Sequence, residues 1–318
     1  MEMKKAMFEA DIGDDVYGED PTVNALEKYA AEVTGMQSAV FASSGTQSNL
    51  MGLLSHCQRG HEYIVGSTAH TYMYEGGGAA VLGGIQPCTI PFNRRGEVPL
   101  NHIAAAIKPD DNHFAVTRLL CLENTQGGKV LSLDYLDDWS QFAIARGLKR
   151  HLDGARVFNA AVSQRVAVRD ICQHFDTVSI CLSKGLGCPV GSVLVGDAET
   201  ILAARRWRKM LGGGLRQAGM LAAAGLFALH NNVDDLARDH SNARRVCEAL
   251  KALPLFALAE EPQTNMVMLD TSMDISGLIP YLKEAGICVN GHRWVFHRDV
   301  SDSDTAHLIS ACTAYSVA

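Results

Sequence analysis

A lysine that follows a strand-like apolar run is the residue of this sequence with the clearest chemical potential. Residues 176–182 are mostly apolar and β-branched, which predicts a buried strand, and Lys184 follows this run. A glycine-rich stretch, Gly185 to Gly191, comes next. An amine at the end of a strand, flanked by small residues, is well placed to form a Schiff base with an aldehyde cofactor. A loop lysine is more often simply exposed to solvent, so this interpretation depends on a second residue.

That second residue is Asp153, which ends another predicted strand upstream of the lysine. It is the carboxylate of the segment His-Leu-Asp-Gly-Ala-Arg at 151–156. A carboxylate that faces a pyridinium nitrogen keeps it protonated, so the ring can accept electrons from a substrate carbanion. Arg156 offers a planar guanidinium group that suits a carboxylate. With Lys184, the segment predicts pyridoxal 5′-phosphate (PLP) as the cofactor; the alternative is a strand-end cap with an Asp–Arg surface pair.

Two segments are candidates for holding the phosphate group of such a cofactor. Ser44, Gly45 and Thr46 lie where a predicted strand becomes a helix, and free N–H groups at a helix N-terminus bind phosphate. The alternative for these residues is ordinary turn and cap chemistry. Residues 205–216 are basic and then glycine-rich, so they supply cations to a phosphate or form a solvated helix face.

Two histidines and one further arginine are candidates for contacts with the cofactor or substrate. His70 lies just past a predicted strand, where its ring is able to stack on a cofactor ring or act as a base. His113 precedes another predicted strand and is a second candidate base. The alternative for both is a histidine satisfied by local hydrogen bonds. Arg293 is a candidate second anchor for a substrate carboxylate.

Two other patterns do not support a binding site. The glycines of 185–191 have the wrong spacing for a dinucleotide fingerprint, contain a proline and lie in the middle of the chain. The acidic pairs Asp14-Asp15 and Asp110-Asp111 lack the spacing of metal ligands. We therefore predict no metal site.

Composition indicates a globular protein that acts on a small molecule. Hydrophobic residues make up 47% of the 318 residues and charged residues 20%, with a net charge of −7. This charge does not favour nucleic acid or an anionic membrane, and no apolar run has the length of a membrane helix. The start of the sequence lacks a signal-peptide pattern. The nine scattered cysteines fit free thiols in a reducing cytoplasm.

Strand and helix patterns alternate along the first two thirds of the chain, which predicts an α/β fold with a mostly parallel sheet and helices on both faces. Strands are predicted at 38–42, 61–65, 117–123 and 176–182, and helices from 20–22, after 43–46 and around 135–146. We place a large domain at 1–235 and a smaller C-terminal α/β domain at 236–318. The latter has predicted helices at 234–250 and 278–285 and predicted strands at 264–269, 288–289 and 293–296.

With these motifs in place, the sequence resembles the low-specificity L-threonine aldolases over nearly its whole length. The segments that carry the resemblance are 13–23, 44–49, 69–70, 122–125, 151–156, 183–187 and 208–217. The first, fifth and sixth of these are specific in combination. The resemblance implies the PLP-dependent fold of the aspartate aminotransferase type (fold type I), with a seven-stranded sheet, and a homotetramer, a dimer of dimers, whose sites are shared between protomers.

The resemblance also implies roles for individual residues. Around the cofactor, Lys184 binds PLP covalently, Asp153 pairs with its pyridine nitrogen, His70 stacks on its ring, and Gly45 and Thr46 hold the phosphate, with Lys209 and Arg216 reaching that group across a subunit interface. Around the substrate, Arg156 and Arg293 hold the carboxylate, and Tyr17 and His113 lie near the hydroxyl.

Some positions depart from the pattern of this family. Gln126 stands where the family commonly has histidine, Phe296 replaces a threonine, and Arg298 replaces an apolar residue. Members usually carry an N-terminal arm with a Ser-Asp-Thr motif before the segment that matches 6–10, and the arm's serine helps hold the substrate carboxylate. The present sequence begins after that motif.

Three hypotheses about function follow. The first is PLP-dependent cleavage of L-threonine or L-allo-threonine, which are β-hydroxy-α-amino acids, to glycine and an aldehyde, with His70 or His113 as the base. The second is another PLP lyase, such as a phenylserine aldolase or a β-eliminase. The third is an aldolase-like protein that binds PLP and assembles but hardly turns over. Their products, or the absence of products, distinguish them.

Overall fold

The computed structural model describes residues 1–317, and its centre is a seven-stranded sheet. The strand order is β1-β7-β6-β5-β4-β2-β3. The strands are β1 (Ser38–Ala42), β2 (His61–Gly66), β3 (Gln86–Ile90), β4 (Val116–Glu123), β5 (Lys149–Asp153), β6 (Thr177–Cys181) and β7 (Ser192–Gly196). The pairs from β3 through β2, β4 and β5 to β6 are parallel, whereas β7 is antiparallel to both of its neighbours. The predicted mostly parallel seven-stranded sheet is confirmed.

Helices cover the sheet and build the rest of the described chain. They are α1 (Glu2–Phe8), α2 (Pro21–Thr34), α3 (Gly45–His56), α4 (His70–Met73), α5 (Gly78–Gly83), α6 (Leu100–Ala106), α7 (Leu133–Ile144), α8 (Val157–Gln164), α9 (Val168–Cys172), α10 (Ala198–Met210), α11 (Gly219–Asn231), α12 (Leu236–Lys251), α13 (Leu278–Glu284) and α14 (Asp302–Val317). A short 3-10 helix spans Asp15–Tyr17. In the described part of the chain, none of these helices has the length and apolar character needed to span a bilayer.

Burial explains why the central strands have so few polar residues. Every residue of β6 and of β7 is buried, because helices pack on both faces of a parallel sheet. Glu123 and Asp153, the last residues of β4 and β5, lie beside each other in the sheet register. The carboxyl ends of parallel strands meet at one edge of a sheet, so polar groups from several strands converge there.

Helix α2 begins and ends where its sequence signals require. The side chain of Asp20 accepts hydrogen bonds from the backbone N–H groups of Thr22 and Val23, at 3.1 and 3.0 Å, and Pro21 occupies the first turn. Gly35 ends the helix in the left-handed conformation, with φ 70°. These caps fix the face that buries Val23 and Leu26 against the sheet.

The C-terminal region has a hydrophobic core of its own, centred on residues such as Val246, Leu250, Val267 and Trp294. Its two strands, β8 (Met266–Met268) and β9 (Arg293–Val295), form an antiparallel pair. The separate core supports the predicted division at residues 235 and 236. Helix α12 begins at this division and also contacts α8 of the large region. The division stays a prediction.

The prediction of a strand at 288–289 is wrong. These residues follow the end of α13, where the N–H of Ile287 bonds the carbonyl of Leu282 and Gly286 adopts φ 78°. The backbone at this point therefore completes a helix C-terminus and is not available for a ladder. The strand β9 begins only at Arg293.

Candidate active site

A cleft of about 640 Å³ opens at the carboxyl edge of the sheet. It is lined by the ends of β4 and β5, the loop after β6, helix α4 and the small two-stranded sheet. The lining residues that carry chemistry are His70, Glu123, Gln126, Asp153, Arg156, Lys184 and Arg293. The structure therefore brings together the lysine, the carboxylate, one histidine and both arginines that the sequence singled out.

Asp153 lies at the floor of this cleft, with only 3% of its surface exposed. Its Oδ1 accepts a hydrogen bond from the backbone N–H of Ala155 at 3.1 Å. Its Oδ2 accepts one from the side-chain amide Nδ2 of Asn49 at 3.0 Å. A buried carboxylate with donors on both oxygens is held in one orientation.

Lys184 lies on the wall of the cleft, and it also borders an adjoining cavity of about 300 Å³. The loop that carries it closes with a hydrogen bond from the N–H of Leu182 to the carbonyl of Gly191 at 3.0 Å. Gly185 leaves no room for a side chain, because a Cβ there would lie 2.7 Å from Leu236. The glycines after the lysine thus serve close packing and loop geometry.

His70 is fixed by two glutamates. Its backbone N–H donates to Oε2 of Glu123 at 2.9 Å, and its ring Nδ1 lies 2.8 Å from Oε1 of Glu75. The hydrogen bond to Glu75 raises the pKa of His70 above its ordinary value. Burial raises the pKa of Glu75, and burial beside Asp153 raises the pKa of Glu123 to about 7.

Arg156 and Arg293 border the same cleft, Arg156 from the large region and Arg293 from strand β9 of the C-terminal region. Arg156 precedes α8, and its buried Nε has no hydrogen-bond partner among residues 1–317. Burial and the nearby Arg293 lower the pKa of Arg156. An anion placed between these guanidinium groups would relieve their repulsion and supply the missing acceptor.

The predicted phosphate segment forms the start of α3. The hydroxyl of Ser44 caps the helix by accepting from the N–H of Gln47 at 3.2 Å, so Gly45 and Thr46 occupy the first turn. A Cβ on Gly45 would lie 2.7 Å from Sγ of Cys181, the last residue of β6. The helix N-terminus therefore packs directly on the strand that leads to Lys184, and its first N–H groups are free to bind an anion.

Seven predicted site residues do not line the cleft of their own chain. Three of them, Ser44, Gly45 and Thr46, form the start of α3 described above. The other four are His113, Tyr17, Lys209 and Arg216. His113 lies in the loop before β4, at the opposite edge of the sheet, where its side chain is 81% exposed and bonds Asp111. The loop and the site lie at opposite ends of β4, so His113 does not reach the cleft of its own chain. Its place near the substrate hydroxyl stays a prediction. Tyr17, Lys209 and Arg216 are exposed, and the Arg216 guanidinium lies 5.7 Å from the Tyr17 ring. Their places at a subunit interface or on the substrate side stay predictions.

Residues that the sequence did not single out complete the cleft and its floor. Asn49 and Glu123 lie in segments 44–49 and 122–125, which carry the resemblance, but neither was assigned a role. Glu75 has no sequence signal, since its importance comes from its contact with His70. Glu123 is the last residue of the predicted strand 117–123. A polar residue at the carboxyl end of a parallel strand is itself a sign of a site at that edge of the sheet. The ligand-type atoms of His70, Glu75 and Asp153 lie within 4.8 Å of one another. Asn49 donates N–H bonds to both carboxylates of this group, which fills the space between them with hydrogen-bond donors.

The residues that depart from the pattern of the family also have defined places. Gln126 lines the cleft. Phe296 is buried in the C-terminal core. Arg298 packs over Gly187 and pairs with Asp235 at 3.5 Å, beside the cavity that Lys184 also borders.

The fold and the cleft together define a class of enzyme in which an amine and a buried carboxylate meet at the carboxyl edge of a seven-stranded α/β sheet. The chain belongs to the beta-eliminating lyase family, whose model matches residues 1–274. It is 49% identical over 317 residues to the low specificity L-threonine aldolase of Escherichia coli K12, covering 98% of this chain and 95% of that protein. The low-specificity L-threonine aldolase 1 of Arabidopsis thaliana is 40% identical, with 97% and 90% covered.

Solved structures show the same fold at lower identity. A structure of Leishmania major threonine aldolase superposes with a TM-score of 0.82 at 20% identity, covering 94% of this chain and 91% of that one. The predicted resemblance and the predicted fold class are confirmed by these comparisons, and the protein is a lyase.

Proposed function

We propose that this protein cleaves β-hydroxy-α-amino acids, L-threonine and L-allo-threonine among them, to glycine and an aldehyde. The observation that carries the proposal is the meeting of Lys184 and Asp153 in one cleft of a chain 49% identical to a low specificity L-threonine aldolase.

The residues present fit PLP, which is the cofactor. Lys184 would bind its aldehyde, the carboxylate of Asp153 would face its ring nitrogen, and the flat imidazole of His70 would cover its face. Ser44, Gly45 and Thr46 at the start of α3 would hold its phosphate. When bound, PLP supplies an electron sink for the bond that is broken.

The two arginines bind and orient the substrate in this proposal. The free Nε of Arg156 and the guanidinium of Arg293 would hold the α-carboxylate. A carboxylate held at two points would set the rotation of the amino acid and so determine which bond at Cα is exposed to the chemistry of the cofactor. The arginines therefore select the bond that breaks.

His70 is the base that removes the proton from the β-hydroxyl. It is the histidine of the cleft, and its hydrogen bond to Glu75 raises its pKa. A higher pKa makes the neutral imidazole a stronger base, while Glu75 stabilises the charged ring after proton transfer. Tyr17 and His113, predicted near the hydroxyl, would reach it only from another protomer.

A β-eliminase is the second candidate, because the family model carries that name. The test is to incubate the PLP-loaded protein with L-threonine and measure the products. We expect acetaldehyde and glycine in equal amounts. Ammonia with a keto acid would favour the eliminase, and bound PLP without any product would favour an inactive binder. The apoprotein is the control and should release no aldehyde.

We also propose that the protein is a cytoplasmic homotetramer with shared sites that contributes to glycine synthesis. Lys209 and Arg216, predicted at a neighbouring site, lie on an exposed face that also presents Tyr17 and Met210, both more than 70% exposed. Apolar side chains this exposed favour burial in an interface. The nine cysteines, all in the described region, are free, which supports a reducing compartment.

The assembly is tested by sedimentation equilibrium. We expect four times the mass of the 34.3 kDa chain. The double variant Tyr17→Ser with Met210→Ser should shift the distribution toward smaller species, because it removes apolar area from the interface. A wild-type monomer at micromolar concentration would contradict the proposed assembly.

A further inference from the structure

Asn49 links the two buried carboxylates around which the cleft is organised. It lies on α3 and is 1% exposed. Its Nδ2 donates to Oδ2 of Asp153 at 3.0 Å and to Oε1 of Glu75 at 2.8 Å. The same Glu75 oxygen bonds the ring of His70. One amide group therefore connects the floor of the cleft to the histidine on its wall.

A buried chain of hydrogen bonds holds this amide from behind. Its Oδ1 lies 3.2 Å from Nε2 of His151, whose Nδ1 lies 2.8 Å from the hydroxyl of Thr177. The same hydroxyl lies 2.8 Å from Nε2 of His56. Burial lowers the pKa of His151 to about 3 and that of His56 to about 4, so each ring is neutral and carries one N–H.

Only one set of donors and acceptors satisfies this chain. The carboxylates accept only, so the amino group of Asn49 faces them and its carbonyl oxygen faces His151. His151 then donates from Nε2, which leaves Nδ1 to accept the hydroxyl proton of Thr177. The hydroxyl oxygen accepts the N–H of His56. Each bond fixes the direction of the next, and the whole chain fixes the orientation of the Asn49 amide.

We propose that Asn49 is a positioning residue. It holds Asp153 where this carboxylate would face the ring nitrogen of the cofactor, and it holds Glu75 against His70, with His151 fixing the direction of its amide. Two carboxylates this close repel when both are charged, and the two N–H donors of Asn49 offset that repulsion. The effect on turnover rests on the proposed function, whereas the effect on cofactor binding does not.

The experiment compares the wild-type protein with Asn49→Asp. This substitution keeps the shape of the side chain but replaces both donors with an oxygen that faces two carboxylates. We expect the dissociation constant for PLP to rise about tenfold and kcat for threonine to fall about thirtyfold, with KM changed by less than about threefold. The measurements are fluorescence titration of the apoprotein with PLP and steady-state kinetics.

Two further variants separate positioning from folding. Asn49→Ala removes the donors without adding charge, and we expect about half of each effect on a logarithmic scale. Should Asn49→Asp not fold, Asn49→Ala decides the question. Asn231→Asp is the matched control, because Asn231 is exposed and its Nδ2 donates to the backbone carbonyl of Phe227, away from the cleft.

The inference is overturned if an Asn49 variant that unfolds at the wild-type temperature binds PLP with wild-type affinity. It is also overturned if the two effects appear equally in Asn231→Asp. A wild-type protein that binds PLP but leaves threonine intact would contradict the proposed function alone, since PLP affinity is measured without substrate.

Discussion

Substituting Lys184 with alanine should abolish covalent attachment of PLP and lower threonine cleavage by about a thousandfold or more. The amine borders both the cleft and the adjoining cavity, and within residues 1–317 no other lysine lines the cleft. The fold should persist, because Lys184 is only half-buried and its loop is held by backbone bonds and glycine packing. Borohydride reduction followed by peptide mass spectrometry locates the attachment, and thermal unfolding reports the fold.

The matched control for this substitution is Lys283→Ala. Lys283 is exposed on α13, in the C-terminal region and outside the cleft. We expect this variant to retain the covalent cofactor and to keep activity within about twofold of the wild type. Trapped cofactor on a different lysine in the Lys184→Ala protein would contradict the assignment of the amine.

Asp153→Asn should leave PLP bound but reduce kcat about a hundredfold. The substitution removes the negative charge that would face the ring nitrogen. It also breaks a hydrogen bond, because both oxygens of Asp153 accept, one from Ala155 and one from Asn49, and an amide at this position brings its own donor against one of them. Initial rates of acetaldehyde release and the ratio of bound PLP to protein measure the two effects separately.

Asp176→Asn is the control for this second substitution. Asp176 also has a partly buried, hydrogen-bonded carboxylate, but it pairs with Arg150 at the opposite edge of the sheet. We expect it to lower the unfolding temperature without changing kcat of the folded protein. Unimpaired turnover by Asp153→Asn would move the electrostatic role to Glu123, which is the register partner of Asp153 on β4.

The elements that position the site were largely predictable. The strand at 38–42 coincides with β1, and those at 61–65, 117–123 and 176–182 agree with β2, β4 and β6 to within a residue at most ends. Strands such as β7 were not predicted, because a short buried apolar run next to glycines has no period that separates strand from helix. The error at 288–289 arose for a related reason, since apolar residues there complete a helix end.

The residues of the candidate site also fall into those that the sequence identified and those that only the structure revealed. The sequence by itself identified Lys184, Asp153 and Arg156 as candidate site residues, together with the glycines that follow the lysine. These residue types limit the possible chemistry wherever the chain places them. Only the tertiary structure decided which histidine enters the cleft and brought Asn49 and Glu75 to Asp153. Those contacts join residues far apart in the sequence, and the crossing of α3 over the sheet that creates them leaves no local pattern.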